Sequence, residues 1–119
     1  MHQVLIADNS DNFVDIFTLI FKNYDVSCSS CTFETCFQQI MLLRPGLIII
    51  NIKIRGDDGR ALCERVKTQA ELKHIAVMLM CIDHRKLVNY SKYLADDILE
   101  MPFDIDLFVS KVKGLLKIS

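Results

Sequence analysis

The sequence predicts an α/β fold, a doubly wound, five-stranded parallel sheet covered by helices on both faces. Three observations predict it. Short apolar segments alternate with amphipathic ones five times along the 119 residues. The run Leu47-Ile48-Ile49-Ile50-Asn51 is apolar and branched at consecutive positions, as in a strand buried on both faces. No linker, repeat or low-complexity stretch interrupts the pattern, so residues 1–119 are expected to form a single domain.

Val4-Leu5-Ile6-Ala7 reads as the first strand and ends at Asp8-Asn9-Ser10-Asp11. Phe13, Ile16, Phe17, Ile20 and Phe21 recur at three- and four-residue steps, a helix that Ser10 or Asp11 can cap. Tyr24 to Ser29 reads as a second strand, and a second helix from Glu34 to Leu43 must end near Arg44-Pro45-Gly46. Leu47 to Asn51 is the third strand, and Asp58 caps a third helix with Leu62 and Val66 facing inward. His74 to Met80 is the fourth strand. The stretch from Asp83 to Leu94 is polar with a weak helical pattern, so a helix there is short or irregular. Ile98-Leu99-Glu100 is the fifth strand. Asp104 then caps a helix through Ile105, Phe108, Val109, Val112, Leu115 and Leu116. The chain stops just after that helix, and no output domain is expected to follow.

Bulk composition narrows the function. An apolar fraction of 51% and a charged fraction of 24% are ordinary for a globular protein, and a formal net charge of −1 gives no field favouring nucleic acid or anionic membrane. No apolar run approaches the roughly 18 residues that span a bilayer, and the N-terminus has no charged, cleavable leader. The expected location is the cytoplasm. Cys28, Cys31, Cys36, Cys63 and Cys81 are odd in number and irregular in spacing, a poor disulfide framework. Cys28-Ser-Ser-Cys31 has redox-motif spacing but lacks a fourth ligand for a metal, and reduced structural thiols are expected.

The order of elements, the acidic start of the loop after the first strand, Asn51 at the end of the third strand, Asp58-Gly59 before the third helix, and Met101-Pro102-Phe103 after the fifth strand carry a resemblance. Together they resemble the receiver domains of response regulators in two-component signalling, over essentially the whole chain. The resemblance implies the flavodoxin-like sheet order 2-1-3-4-5, with a site at the switch point between the first and third strands. It also implies a place for each working residue. Two carboxylates after the first strand would hold Mg²⁺ with the phosphoacceptor aspartate. A hydroxyl after the fourth strand and a lysine after the fifth would bind the phosphoryl oxygens.

Carried over residue by residue, Asp8 keeps the first acidic position. Asn9 stands at the second, Asn51 at the phosphoacceptor, Cys81 at the hydroxyl and Met101 at the lysine. An amide is not a useful nucleophile at phosphorus, and loss of two carboxylates is expected to leave Mg²⁺ binding weak or lost. A thiol is a weak donor, and a thioether cannot offset phosphoryl charge. Ile98 occupies the position of the family's aromatic switch residue. Pro102 keeps the proline that the family usually has after a cis bond.

These residues predict a degenerate receiver, not an enzyme and without a cofactor, that works in signalling by binding a protein partner independently of phosphorylation. It is expected to be a monomer or weak dimer, with no nucleic-acid or membrane partner. Lys53 or Arg55 is a candidate to pair with Asp8 in place of the metal, against the plainer reading of a solvated charge. The expected partner surface is helix 4, strand 5 and helix 5, with Arg85, Lys86, Asn89, Tyr90, Lys92, Lys111 and Lys113. Two other readings stand beside this one. The first is an active receiver whose acceptor has moved to Asp57 or Asp58. The second is a flavodoxin-like ligand-binding or redox protein, although a Gly-rich phosphate loop is missing after the first strand.

Overall fold

The computed structural model describes residues 1–8, 12–54 and 56–118. The expected capping residues Ser10 and Asp11, together with Asn9, Arg55 and Ser119, lie outside the described residues. In chain order the elements are β1 (His2–Ala7), α1 (Asn12–Ile20), β2 (Val26–Cys31), α2 (Cys36–Leu43), β3 (Leu47–Asn51), α3 (Gly59–Lys67), β4 (Ala76–Cys81), β5 (Asp97–Glu100) and α4 (Ile105–Leu116). The five strands pair in parallel in the order β2-β1-β3-β4-β5. This is the flavodoxin-like order.

The continuous apolar runs are explained by the two-sided burial of the sheet. Successive residues of a strand face opposite sides. Leu5, Ala7, Ile48, Ile50, Val77 and Leu79 therefore pack with Ile40, Leu62 and Val66 of α2 and α3 on one face. Val4, Ile6, Leu47, Ile49, Met78 and Met80 pack with Phe17, Phe108 and Val112 of α1 and α4 on the other. Burying each of the Val, Leu, Ile, Phe and Met side chains contributes about 1.5–3 kcal/mol. The second face is knit by aromatic rings: Phe17 lies 4.6 Å from Phe108, and Phe103 lies 5.0 Å from Phe108.

Helix ends follow local chemistry. The Asp58 side chain accepts from the backbone N–H of Arg60 at 2.9 Å, and Asp104 accepts from that of Leu107 at 2.9 Å. α2 ends where Arg44 turns left-handed at φ 46° ahead of Pro45.

Two strand boundaries are corrected, and two local features are added. β2 begins at Val26 instead of Tyr24, because Tyr24 still belongs to the turn closing α1: its N–H donates to Phe21 O and its ring meets Phe21 at 5.7 Å. β4 begins at Ala76 and reaches Cys81, with His74 left exposed before it. The segment after β4 has the short, irregular form expected of it, two 3₁₀ turns at His84–Lys86 and Tyr90–Tyr93. Asp83 caps the first turn, Leu94 ends the second in the left-handed region at φ 69°, and between the turns Leu87 alone is fully buried, so no continuous apolar stripe drives a helix. A short antiparallel pairing of Lys53–Ile54 with Asp57–Asp58, turned through Gly56 at φ 77°, was not foreseen. Among the described residues, no helix is long and apolar enough to cross a membrane.

Candidate functional site

β1, β3, β4 and β5 all end at one edge of the sheet, and parallel pairing brings their last residues together. Asn51 pairs with Met80, and Cys81 with Glu100. Asp8 continues β1 through an N–H bond to Cys31 O of 3.1 Å and is 8% exposed. The amide of Asn51 then reaches across: its Nδ2 donates to Asp8 Oδ1 at 3.2 Å. Its Oδ1 accepts from the backbone N–H of Lys53 at 3.1 Å. A carboxylate needs a donor and an N–H needs an acceptor, so these two partners fix which end of the amide faces which way.

The loop behind Asn51 is tightly braced. Ile52 N–H donates to Met80 O at 3.0 Å, and Gly59 N–H donates to Ile52 O at 2.7 Å. α3 starts so close to β3 that a Cβ on Gly59 would lie 2.3 Å from Asn51 O. Only glycine fits there, which gives the Asp58-Gly59 pair a steric basis. Asp58 itself is occupied: Arg60 Nε and Nη2 reach its carboxylate at 3.0 and 2.7 Å, and the guanidinium holds that carboxyl below the usual carboxylate range. Asp57 is exposed in the short pairing.

A cleft of about 250 Å³ opens at this edge, lined by Phe13, Asn51, Lys53, Met80, Cys81, Ile82, Asp83 and Met101. Met101 is placed by its N–H bond to Cys81 O at 3.1 Å and precedes a cis bond to Pro102. The structure thus brings Asp8, Asn51, Cys81 and Met101 to one edge, with Lys53 at its mouth. Asn9 and Arg55 lie outside the described residues. Lys53 is exposed, and a Lys53–Asp8 bridge is not among the ion pairs of the described residues; the Asn51 amide meets one oxygen of the carboxylate. Asp8 and Asn51 meet at this edge, and the Asn51 amide oxygen is already engaged by Lys53 N–H. Among the described residues, no three His, Cys, Asp or Glu side chains converge as a metal site.

The expected partner surface is less continuous than its sequence suggested. Lys111 is half-buried and held by Asp97 at 3.1 Å and Ile98 O at 2.8 Å, and so is not a free surface charge. Lys113 points to the other side of α4, its Nζ 5.6 Å from the Tyr24 ring, because two helical steps rotate a side chain by more than half a turn. Arg85 is exposed but pairs with Asp83 at 3.1 Å. Asn89 and Lys92 are exposed, whereas Lys86 and Tyr90 are half-buried, with Tyr90 packed on the core. Ile98 is half-buried against the same core. Beside these residues lies a second cleft that includes Ile98, Glu100, Pro102, Leu107 and Lys111.

The thiols separate by face. Cys28 and Cys31 are three apart on one strand and so pack on opposite sides of the sheet, which rules out the redox-motif pairing within that strand. Cys31 instead neighbours Cys36, whose thiol is pushed up by its bond to Cys31 and by burial. Sequence reading missed Phe13, Met80, Ile82 and Asp83 as cleft residues. Their signal was adjacency: Met80, Ile82 and Asp83 flank Cys81, and Phe13 opens α1 above the same edge.

Comparison with known proteins matches this geometry. No family model matches the chain. The sensory transduction protein BceR of Halalkalibacterium halodurans is 29% identical over 116 residues, which cover 96% of this chain and 49% of that protein. A solved protein described as a response regulator from Chloroflexus aurantiacus superposes with a TM-score of 0.87 at 25% identity, over 98% of both chains. The receiver domain of a signal transduction histidine kinase from Syntrophus aciditrophicus does so with a TM-score of 0.86 at 28% identity, over 98% of this chain and 91% of that one. In fold and over nearly its whole sequence the chain is similar to response-regulator receiver domains. It spans about half the length of the curated relative it matches.

Proposed function

We propose that this receiver works without phosphorylation, as a protein-interaction module of a cytoplasmic signalling pathway. The observation that carries the reading is the Asn51–Asp8 hydrogen bond. A receiver that accepts phosphate must gather negative charge here and neutralise it with a cation. In this chain the acceptor position is an amide that donates directly to one oxygen of the Asp8 carboxylate. Cys81 and Met101 turn the places for a hydroxyl and an ammonium into apolar wall. With no phosphoryl group to read, the equilibrium between conformations is biased only by a partner with different affinity for each.

The face presented to that partner is the 3₁₀ segment with β5, where Arg85, Asn89 and Lys92 are exposed and Tyr90 is half-buried. Its basic and aromatic residues suit an acidic patch on another protein. The experiment is an amide NMR spectrum of the chain before and after adding Mg²⁺ with beryllofluoride, which mimics a phosphoryl group on a carboxylate. The expected result is an unchanged spectrum. Saturable shifts around Asp8, Asp57 or Asp58 would mean that an acceptor survives.

A further inference from the structure

The cleft at the strand ends has the size and lining of a pocket for a small molecule. We propose that it binds a neutral aromatic molecule of one or two rings, a claim resting on the reading that this edge has given up phosphoryl chemistry. Size sets the first limit. At about 250 Å³ the cleft exceeds the cavity of about 150 Å³ known to admit benzene. It falls short of the roughly 300 Å³ at which pockets for larger ligands begin.

Lining sets the second limit. Phe13, Met80, Cys81, Ile82 and Met101 supply an apolar wall with three sulfur atoms. Polarizable thioethers favour contact with aromatic rings. Charge sets the third. The charged lining residues among those described are Lys53 and Asp83, one of each sign, so the described lining favours neither a phosphate nor an organic cation. The Asn51 amide at the rim leaves room for one polar group on the ligand. Met101 is the decisive residue, because a lysine there would put an ammonium into the same space.

The test uses the five methionines as reporters. The whole chain is labelled with ¹³C at the methionine methyls and titrated with indole. Met80 and Met101 are expected to shift saturably, while Met1, Met41 and Met78, which do not line the cleft, stay in place. Met101→Lys is expected to weaken indole at least tenfold. Met101→Gln, which keeps the shape of the side chain, is the second variant should the lysine disturb folding, and the same weakening is expected. Shifts that grow linearly with indole, that spread to Met1 and Met41, or that survive both substitutions would overturn the proposal. The titration involves no phosphodonor, so its failure leaves the phosphorylation reading standing, whereas a phosphoryl adduct in the intact mass removes that reading separately.

Discussion

Asn51 Nδ2 and Asp8 Oδ1 are 3.2 Å apart, and they join the ends of β3 and β1 across the middle of the sheet. An amide is a good neighbour for a carboxylate that is 8% exposed, because it supplies a donor without adding charge. A second carboxylate at the same point would repel the first unless a cation lay between them.

Asn51→Asp is therefore expected to destabilise the receiver by about 1–3 kcal/mol at pH 7, the scale of a lost charge-assisted bond. The deficit should shrink toward pH 4, where one carboxyl of the new pair takes a proton and can donate to the other. Urea midpoints at the two pH values measure both effects. A variant as stable as the parent at pH 7 would show that the amide is not needed there.

Gly59→Ala is expected to cost about 1–3 kcal/mol, since the new Cβ would meet Asn51 O at 2.3 Å and a backbone segment would have to move. Gly114→Ala is the control. It lies in α4 with nothing within 4 Å of the added atom, and should gain about 0.5–1 kcal/mol from helix propensity. Denaturation of both variants under one condition gives two changes of opposite sign.

Burial pushes the Cys63 thiol up to about 12 and the Cys28 thiol up to about 11, from an ordinary value of 9.0. Above pH 9 the unfolded chain releases these protons while the native chain keeps them. Stability contributed by the neutral thiols is thus complete below pH 9 and is lost as pH rises toward 11–12. Cys63→Ala should flatten the decline between pH 9 and 11, read from thermal midpoints. An equally steep decline in the variant would assign it to other groups.

Asp104→Ala removes the acceptor of the Leu107 N–H and should cost about 1 kcal/mol. Its neighbourhood includes Phe103 and Phe108, so loosening of α4 would also show in near-UV dichroism. A stability change under a few tenths of a kcal/mol would mean that water replaces the cap without loss.

Much of the fold is legible in the residues themselves. Leu47–Asn51 could be bounded to the residue, because its branched run stops at a polar side chain and starts after a Pro-Gly turn. The caps at Asp58 and Asp104 are local chemistry and could be read directly. β2 was misplaced by two residues because Ser27, Ser29 and Ser30 blunt its pattern and its register is set by β1. The segment after Cys81 is short and irregular, as its weak helical period predicts: between its turns Leu87 alone is fully buried, so tertiary packing does not extend the turns.

The candidate site was legible as substitutions at positions of known meaning, but not as a shape. That Asn51 bonds Asp8 while Lys53 stays exposed depends on where the Lys53 backbone N–H falls, which no spacing rule reports. The cleft wall depends on strand register, which places Met80 and Cys81 level with Asn51 and Glu100. Lys111 was misjudged because its partner Asp97 lies on another element.

The measurement that tests the central claim most directly is the intact mass of the receiver after incubation with acetyl phosphate and Mg²⁺. The account predicts the unmodified mass. A phosphoryl adduct that persists in Asn51→Ala and disappears in Asp57→Ala or Asp58→Ala would contradict it, because the acceptor would then have moved along the loop.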